Sequence, residues 1–129
     1  MRKILTEISA GELLDKLSIL EIKLNKINNP ALLKEIKKEY NIINETNQKN
    51  INSSNEINVL YIKLKKINEQ LWEIEDKIRS CEKNSDFNDK FVQLARNVYI
   101  ENDKRSKIKL EINKVLGSNI IEVKQYTEY

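Results

Sequence analysis

Ile57–Cys81 reads INVLYIKLKKINEQLWEIEDKIRSC. Its apolar residues fall at Ile57, Leu60, Leu64, Ile67, Leu71, Ile74, Ile78 and Cys81, stepping three, four, three, four without a miss. That is a heptad seam, and it predicts one long straight helix that must lay this stripe against partner helices.

Working back from this helix, Asn47–Asn55 (NQKNINSSN) is polar and turn-prone, and it reads as a mobile loop. Ser53 with Glu56 has capping-box spacing and opens the seam helix at about residue 54. Earlier still, Asn28, Asn29 and Pro30 mark a stop and restart, with Asn29 as N-cap and Pro30 in the first turn. A helix over about 31–46 follows, with the stripe Leu33, Ile36, Tyr40 and Ile43. Before it, Ser9 and Glu12 form a capping box for a helix over about 10–27, with the stripe Ala10, Leu13, Leu17, Leu20, Leu24 and Ile27. Leu14 and Ile22 widen that stripe, so this helix should meet more than one neighbour.

Forward from the seam, Asn84–Asp86 breaks the helix, and Ser85 or Asp86 can cap the next one. A fourth helix is expected over about 87–116, closed by Gly117 as a left-handed C-cap. The expected fold is all-α: an elongated antiparallel four-helix bundle of two hairpins, the second much longer, in one domain spanning residues 1–129. The overhang of the long hairpin needs a cover, from the termini, from a bend or from a second subunit, and homodimerisation is the leading expectation. Asn119–Tyr126 (NIIEVKQY) is strand-like, as is the short N-terminal segment, and the two are expected to pair as a small ribbon.

Bulk composition narrows the function classes. The chain has 129 residues, 33% of them charged, with a formal net charge of +3 and both signs interspersed. So small an excess implies neither nucleic acid nor a membrane as partner. No run approaches the roughly 20 apolar residues of a membrane span. One cysteine excludes an internal disulfide, and no signal peptide is evident, so the expected location is cytoplasmic. Heavy use of Lys, Ile and Asn suggests an AT-rich genome. With no histidine there is no Ser-His-Asp triad and no His-ligated zinc, and no Gly-rich phosphate loop is present. No cofactor is expected.

The fourth helix breaks its own apolar pattern. Continuing Phe91, Leu94 and Val98 lands on Glu101 and Arg105, and ENDKRSK between Ile100 and Ile108 holds no apolar residue. The seam helix carries a matching second row, Tyr61, Asn68, Trp72, Glu75 and Arg79. Antiparallel pairing about a turn near Ser85 would set Asn68 across from Asn102, Trp72 across from Val98 or Tyr99, and Glu75 near Arg96. A polar band of Asn68, Trp72, Glu75, Arg79, Arg96, Tyr99, Asn102 and Arg105 therefore has two readings. It is a network that fixes helix register, the more common use of such groups, or a pocket for an anionic metabolite such as a nucleotide or sugar phosphate.

Glu69, Glu73 and Asp76 form a carboxylate row with the E-x-x-D spacing by which helical nucleotide pyrophosphatases hold magnesium. It lies opposite the seam, where a solvated face is the commoner outcome. The basic run Lys104, Arg105, Lys107 and Lys109 has no interleaved aromatic and also reads as a solvated face. Gly11, in a first helical turn, has free N–H groups that could hold an anion.

Three blocks, ISAGELLDKLSILEIK (8–23), LWEIEDKIR (71–79) and FVQLARNVYIENDKR (91–105), resemble the signatures of a small bacterial all-helical family of unknown function. The resemblance implies a compact intracellular helical protein. It also points to Asp15 and Lys16, which periodicity alone leaves on the surface. Together the observations favour a non-enzymatic interaction or assembly module forming a homo-oligomer, with a small ligand-binding protein or enzyme as the alternative.

Overall fold

A computed structural model describes residues 1–129 and contains four helices: α1 (Ala10–Lys26), α2 (Pro30–Asn50), α3 (Asn55–Lys83) and α4 (Asp89–Leu116). The caps explain the boundaries. Ser9 Oγ accepts from Glu12 N at 3.1 Å, and Asn29 accepts from Ala31 N and Leu32 N ahead of Pro30. Gly117 closes α4 in the left-handed region (φ 61°, ψ 43°), with Ser118 N returning to Asn113 O at 2.8 Å. Two caps differ from expectation. Ser54, not Ser53, caps α3 through Ile57 N, and Asn88, not Ser85 or Asp86, caps α4. Ser85 instead takes the positive φ (53°) of the turn. The Asn-rich stretch is also shorter as a loop than its composition suggests. Helix α2 runs on to Asn50, where the Asn50 side chain bonds back to Thr46 O, and only residues 51–54 connect it to α3.

At about 1.5 Å per residue, α3 and α4 are each about 42 Å long and α1 about 25 Å. Helix α1 is the hub, because it alone packs against each of the other three. Its core contribution, Leu14 and Leu17, joins Ile57, Leu60 and Leu64 of α3 and Ile112 of α4. Helix α2 packs closely against α1 alone and buries no residue completely; Tyr40 and Ile43 reach the core edge half-buried. The bundle is therefore three helices with a fourth laid on the outside. The reason is compositional: α2 offers a single narrow stripe, whereas α1 buries both its leucine stripe and Gly11, Asp15 and Ser18.

The seam of α3 records where α1 stops. Ile57, Leu60, Leu64, Ile67 and Leu71 are buried, Ile74 and Ile78 are only half-buried, and Cys81 near the turn is buried again. Lys26, the last residue of α1, bonds Glu73 at 3.1 Å at that level. Beyond it the end of the α3–α4 hairpin projects with Phe87 and Val92 exposed; Phe87 meets Phe91 edge to face. The N- and C-terminal segments meet at the other end through Ala10 N–Ser118 Oγ (3.0 Å) and Asn119 Nδ2–Glu7 Oε1 (2.8 Å). They form no ribbon. Neither Met1–Ile8 nor the chain after Ser118 makes a backbone–backbone hydrogen bond, and the structure has no strand. The C-terminal segment instead folds back along α4, where Glu122 meets Lys109 and Tyr129 packs on Tyr99.

Candidate functional site

The main concentration of buried polar groups lies between α1, α3 and α4, centred on Asp15. Its side chain is 1% exposed. Arg105 clamps it with both ends of the guanidinium, Nε to Oδ1 at 2.9 Å and Nη2 to Oδ2 at 2.5 Å. Asn68 Nδ2 donates to Asp15 Oδ1 at 2.9 Å and to Ser18 Oγ at 2.8 Å, and Ser18 in turn donates to Asp15 O. Lys109 approaches Asp15 at 3.6 Å, bonds Glu12 at 2.7 Å and meets Glu122 of the C-terminal segment at 3.4 Å. Asn113 accepts from Gly11 N at 2.6 Å.

Local sequence explains this meeting. On α1, Gly11, Asp15, Ser18 and Ile22 step four, three, four, a second heptad row beside the leucines. Gly11 is small, which lets α4 approach closely, and Ser18 faces Asn68 of α3. A Cβ at Gly11 would stand 2.5 Å from Lys109 O. On α4 the matching row is Asn102, Arg105, Lys109 and Ile112, so the stretch that breaks the apolar stripe of α4 turns charges toward the polar row of α1.

Electrostatics follow from geometry. Burial pushes the Asp15 carboxyl up, but bonds from Arg105 and Asn68 and the charges of Arg105 and Lys109 outweigh it, holding the pKa below the usual carboxylate range. The bond to Asp15 raises Arg105, against burial. Burial acts to lower Lys109, yet its bond to Glu12 and the charges of Asp15, Glu12 and Glu122 leave it raised. All these groups stay charged through the neutral range, and none is poised to exchange a proton there. A further pair links α1 and α3. Glu21 accepts from Tyr61 and from Lys65 (2.9 Å), and burial followed by the Glu21 contact pushes the Tyr61 phenol well above its ordinary value.

The residues read as one polar band separate into two groups. Asn68, Arg105 and, through Arg105 Nη1 at 3.3 Å, Asn102 belong to the Asp15 network. Asn68 reaches across to α1 and not to Asn102. Glu75 and Arg79 pair with each other along the exposed face of α3, and Arg96 is exposed without an ion pair. Trp72 is half-buried, and Tyr99 is exposed against Tyr129 at 5.4 Å between ring centres. Of the two residues to which the family resemblance pointed, Asp15 is the centre of the network. Lys16 is exposed, 3.8 Å from Glu12.

Glu69, Glu73 and Asp76 are all exposed, with Glu73 occupied by Lys26, and no group of three or more acidic or cysteine side chains converges as metal ligands. The basic run is not a uniform solvated face: Lys109 is buried and Arg105 half-buried, because they face Asp15 and Glu12. The N–H of Gly11 is taken by Asn113, which leaves it no anion to hold. Cys81 is buried and free. Glu12, Ser18, Lys109, Asn113 and Glu122 complete the network; Ser18, Asn113 and Glu122 were not singled out from the sequence, and Glu12 and Lys109 were read only as a capping residue and as part of a solvated basic run, the Gly11–Asp15–Ser18 spacing being the available signal for the α1 members.

The only fully enclosed side-chain polar atom without a partner is Glu101 Oε2, whose other oxygen bonds Lys104 at 2.9 Å. A cleft of about 720 Å3 lies between α4 and the C-terminal segment and shares Lys109, Asn113 and Glu122 with the network. No helix is long and apolar enough to cross a membrane. Comparison with curated proteins and with solved structures finds no match. Residues 4–129 do match the family of unknown function DUF6165, and the chain belongs to that family.

Proposed function

We propose that this chain is a non-enzymatic interaction module that associates with itself, acting in a bacterial cytoplasm. One observation carries the reading. The buried polar side chains bond almost entirely to one another, while apolar side chains remain uncovered at both ends of the bundle. At the hairpin end these are Ile74 and Ile78, half-buried, with Phe87 and Val92 exposed. At the other end they are Ile4 and Leu5, 80% and 87% exposed. A buried charge set of this kind, its members paired with one another, serves to set helix register. The uncovered apolar surface gains by association. A single buried free cysteine suits a reducing compartment.

Sedimentation velocity over a wide concentration range tests the proposal. A concentration-dependent dimer supports it, and a clean monomer at high concentration sinks it. A second reading, binding of an anionic metabolite such as a nucleotide or sugar phosphate, is favoured by the cleft along α4. Lys104, Lys107, Lys109 and Lys124 line it beside Tyr126 and Tyr129, with Asp103, Glu122 and Glu128 opposing them. Calorimetric titration with these ligands, with and without magnesium, separates the two. Saturable heat abolished by Lys107→Glu would favour the binding protein.

A further inference from the structure

Residues Met1–Ile8 form an arm without regular secondary structure whose apolar side chains face water. Its only hydrogen bond to the rest of the chain is the one that Glu7 accepts from Asn119. Arg2 and Lys3 make no ion pair, and no hydrogen bond ties either residue to a helix. Eight residues, when fully extended, reach about 28 Å from Ser9.

Three of the surface clefts are compared as seats for such a segment. The α4 cleft sets four lysines against three carboxylates, has few apolar residues, and is already walled by the chain's own C-terminal segment. The α1–α3 cleft offers Ile22 as its only apolar residue and cannot shelter Ile4 and Leu5. The third, about 500 Å3 between the start of α3 and the end of α4, has an apolar floor of Val59, Leu60 and Val115. Glu56 and Glu111 stand at its rim with Lys114, and none of the three makes an ion pair.

We propose that the arm of one copy docks in this third cleft of a second copy, with Ile4 and Leu5 against Val59, Leu60 and Val115 and with Arg2 and Lys3 beside Glu56 and Glu111. The proposal rests on the self-association read above and names its contact. A second copy is the occupant because the arm in its own chain points elsewhere. Glu111 lies two residues from both Lys109 and Asn113, hence across α4 from α1, where the arm begins. Two-fold exchange repeats the same contact twice, which closes the assembly at a dimer.

The test mixes Leu5→Cys protein with Val115→Cys protein under mild oxidation, the buried Cys81 left in place. The expected result is a disulfide-linked heterodimer joining the two introduced cysteines, identified by peptide mass spectrometry. In the Leu5→Cys/Val115→Cys double variant, a bond within one chain in place of bonds between chains would overturn the proposal, as would no bond at all. Sedimentation equilibrium adds an independent reading. Leu5→Asp should weaken the dimer about 10- to 100-fold, the range for withdrawing one leucine from an apolar contact. Lys3→Glu should weaken it, and Glu111→Lys added to it should restore it. A monomeric parent protein would fell the self-association reading and the arm with it. A dimer indifferent to Leu5→Asp and Val115→Asp, both folded by circular dichroism, would leave self-association standing and overturn the arm.

Discussion

Replacing Asp15 with asparagine keeps the shape of the side chain and removes its charge. In the folded protein Asp15 is 1% exposed, Lys109 9% and Arg105 27%, so the guanidinium that loses its counter-ion is mostly out of water. Breaking one partner out of a buried ion pair costs about 3–5 kcal/mol, chiefly through the stranded opposite charge. The lower end applies here. Lys109 retains Glu12 and Glu122, Arg105 retains Asn102, and the asparagine oxygen can still accept one bond. The expected loss is about 3 kcal/mol. For a chain of this length that lowers the melting temperature by roughly 10 °C. Urea unfolding followed by circular dichroism measures it, with an unchanged slope showing that the same surface is exposed. A double-mutant cycle of Asp15→Asn with Arg105→Met should give a coupling of at least about 1.5 kcal/mol. A loss below about 1 kcal/mol, or a stabilised Asp15→Asn protein, would refute the reasoning. It would mean that the charges are held against stability, as they are where a site serves a ligand.

Acid should unfold the protein partly through the same residue. The Asp15 pKa is lower when folded than its ordinary 3.8, so its contribution is complete above about pH 4 and disappears as pH falls through the folded value; the pH dependence of Asp15→Asn should be flatter in that window. Gly11→Ala should cost about 2–3 kcal/mol by thermal melting, since its Cβ would meet Lys109 O at 2.5 Å, a backbone atom that cannot turn aside. Gly117→Ala meets no neighbour but must hold a positive φ, so about 1 kcal/mol is expected. Tyr129→Phe removes the bond to Asp103 that, ahead of other causes, pushes the phenol up to about 12; spectrophotometric titration should lose that late-ionising tyrosine, with the melting temperature unchanged because the residue is exposed.

The helices were legible because each carries a cap and a stripe. The seam at 57–71 needs only its own periodicity to be read as buried, and Asn29–Pro30 and Gly117 announce their turns chemically. Composition misled at Asn47–Asn50, where asparagine and glutamine suggest loop; the Asn50 and Thr46 side chains instead bond back within α2. The terminal segments are strand-like in residue type, but pairing depends on where two backbones run, and the second of these turns back along α4. The charged break in α4 located half of the site. Periodicity missed its other half, which entered only as Asp15 through the family resemblance, because α1 was read for its leucines, and an aspartate between two small residues looks like surface unless the row Gly11–Asp15–Ser18 is traced for itself. Which residues of α3 join the network could not follow from hairpin register, because Asn68 is engaged by α1.

That engagement sets an order on assembly during synthesis. Asp15 leaves the ribosome 90 positions before Arg105, and Gly11 102 positions before Asn113. At about 5–20 residues per second, the α1 carboxylate waits roughly 5–18 s for its counter-ion. During that interval α1 can pack against α2, its neighbour in the chain, but the row that carries Asp15 stays hydrated. Completion of the core is thus tied to the last quarter of the chain, and a nascent chain halted before Arg105 would hold α1 and α2 together with the central charge still in water.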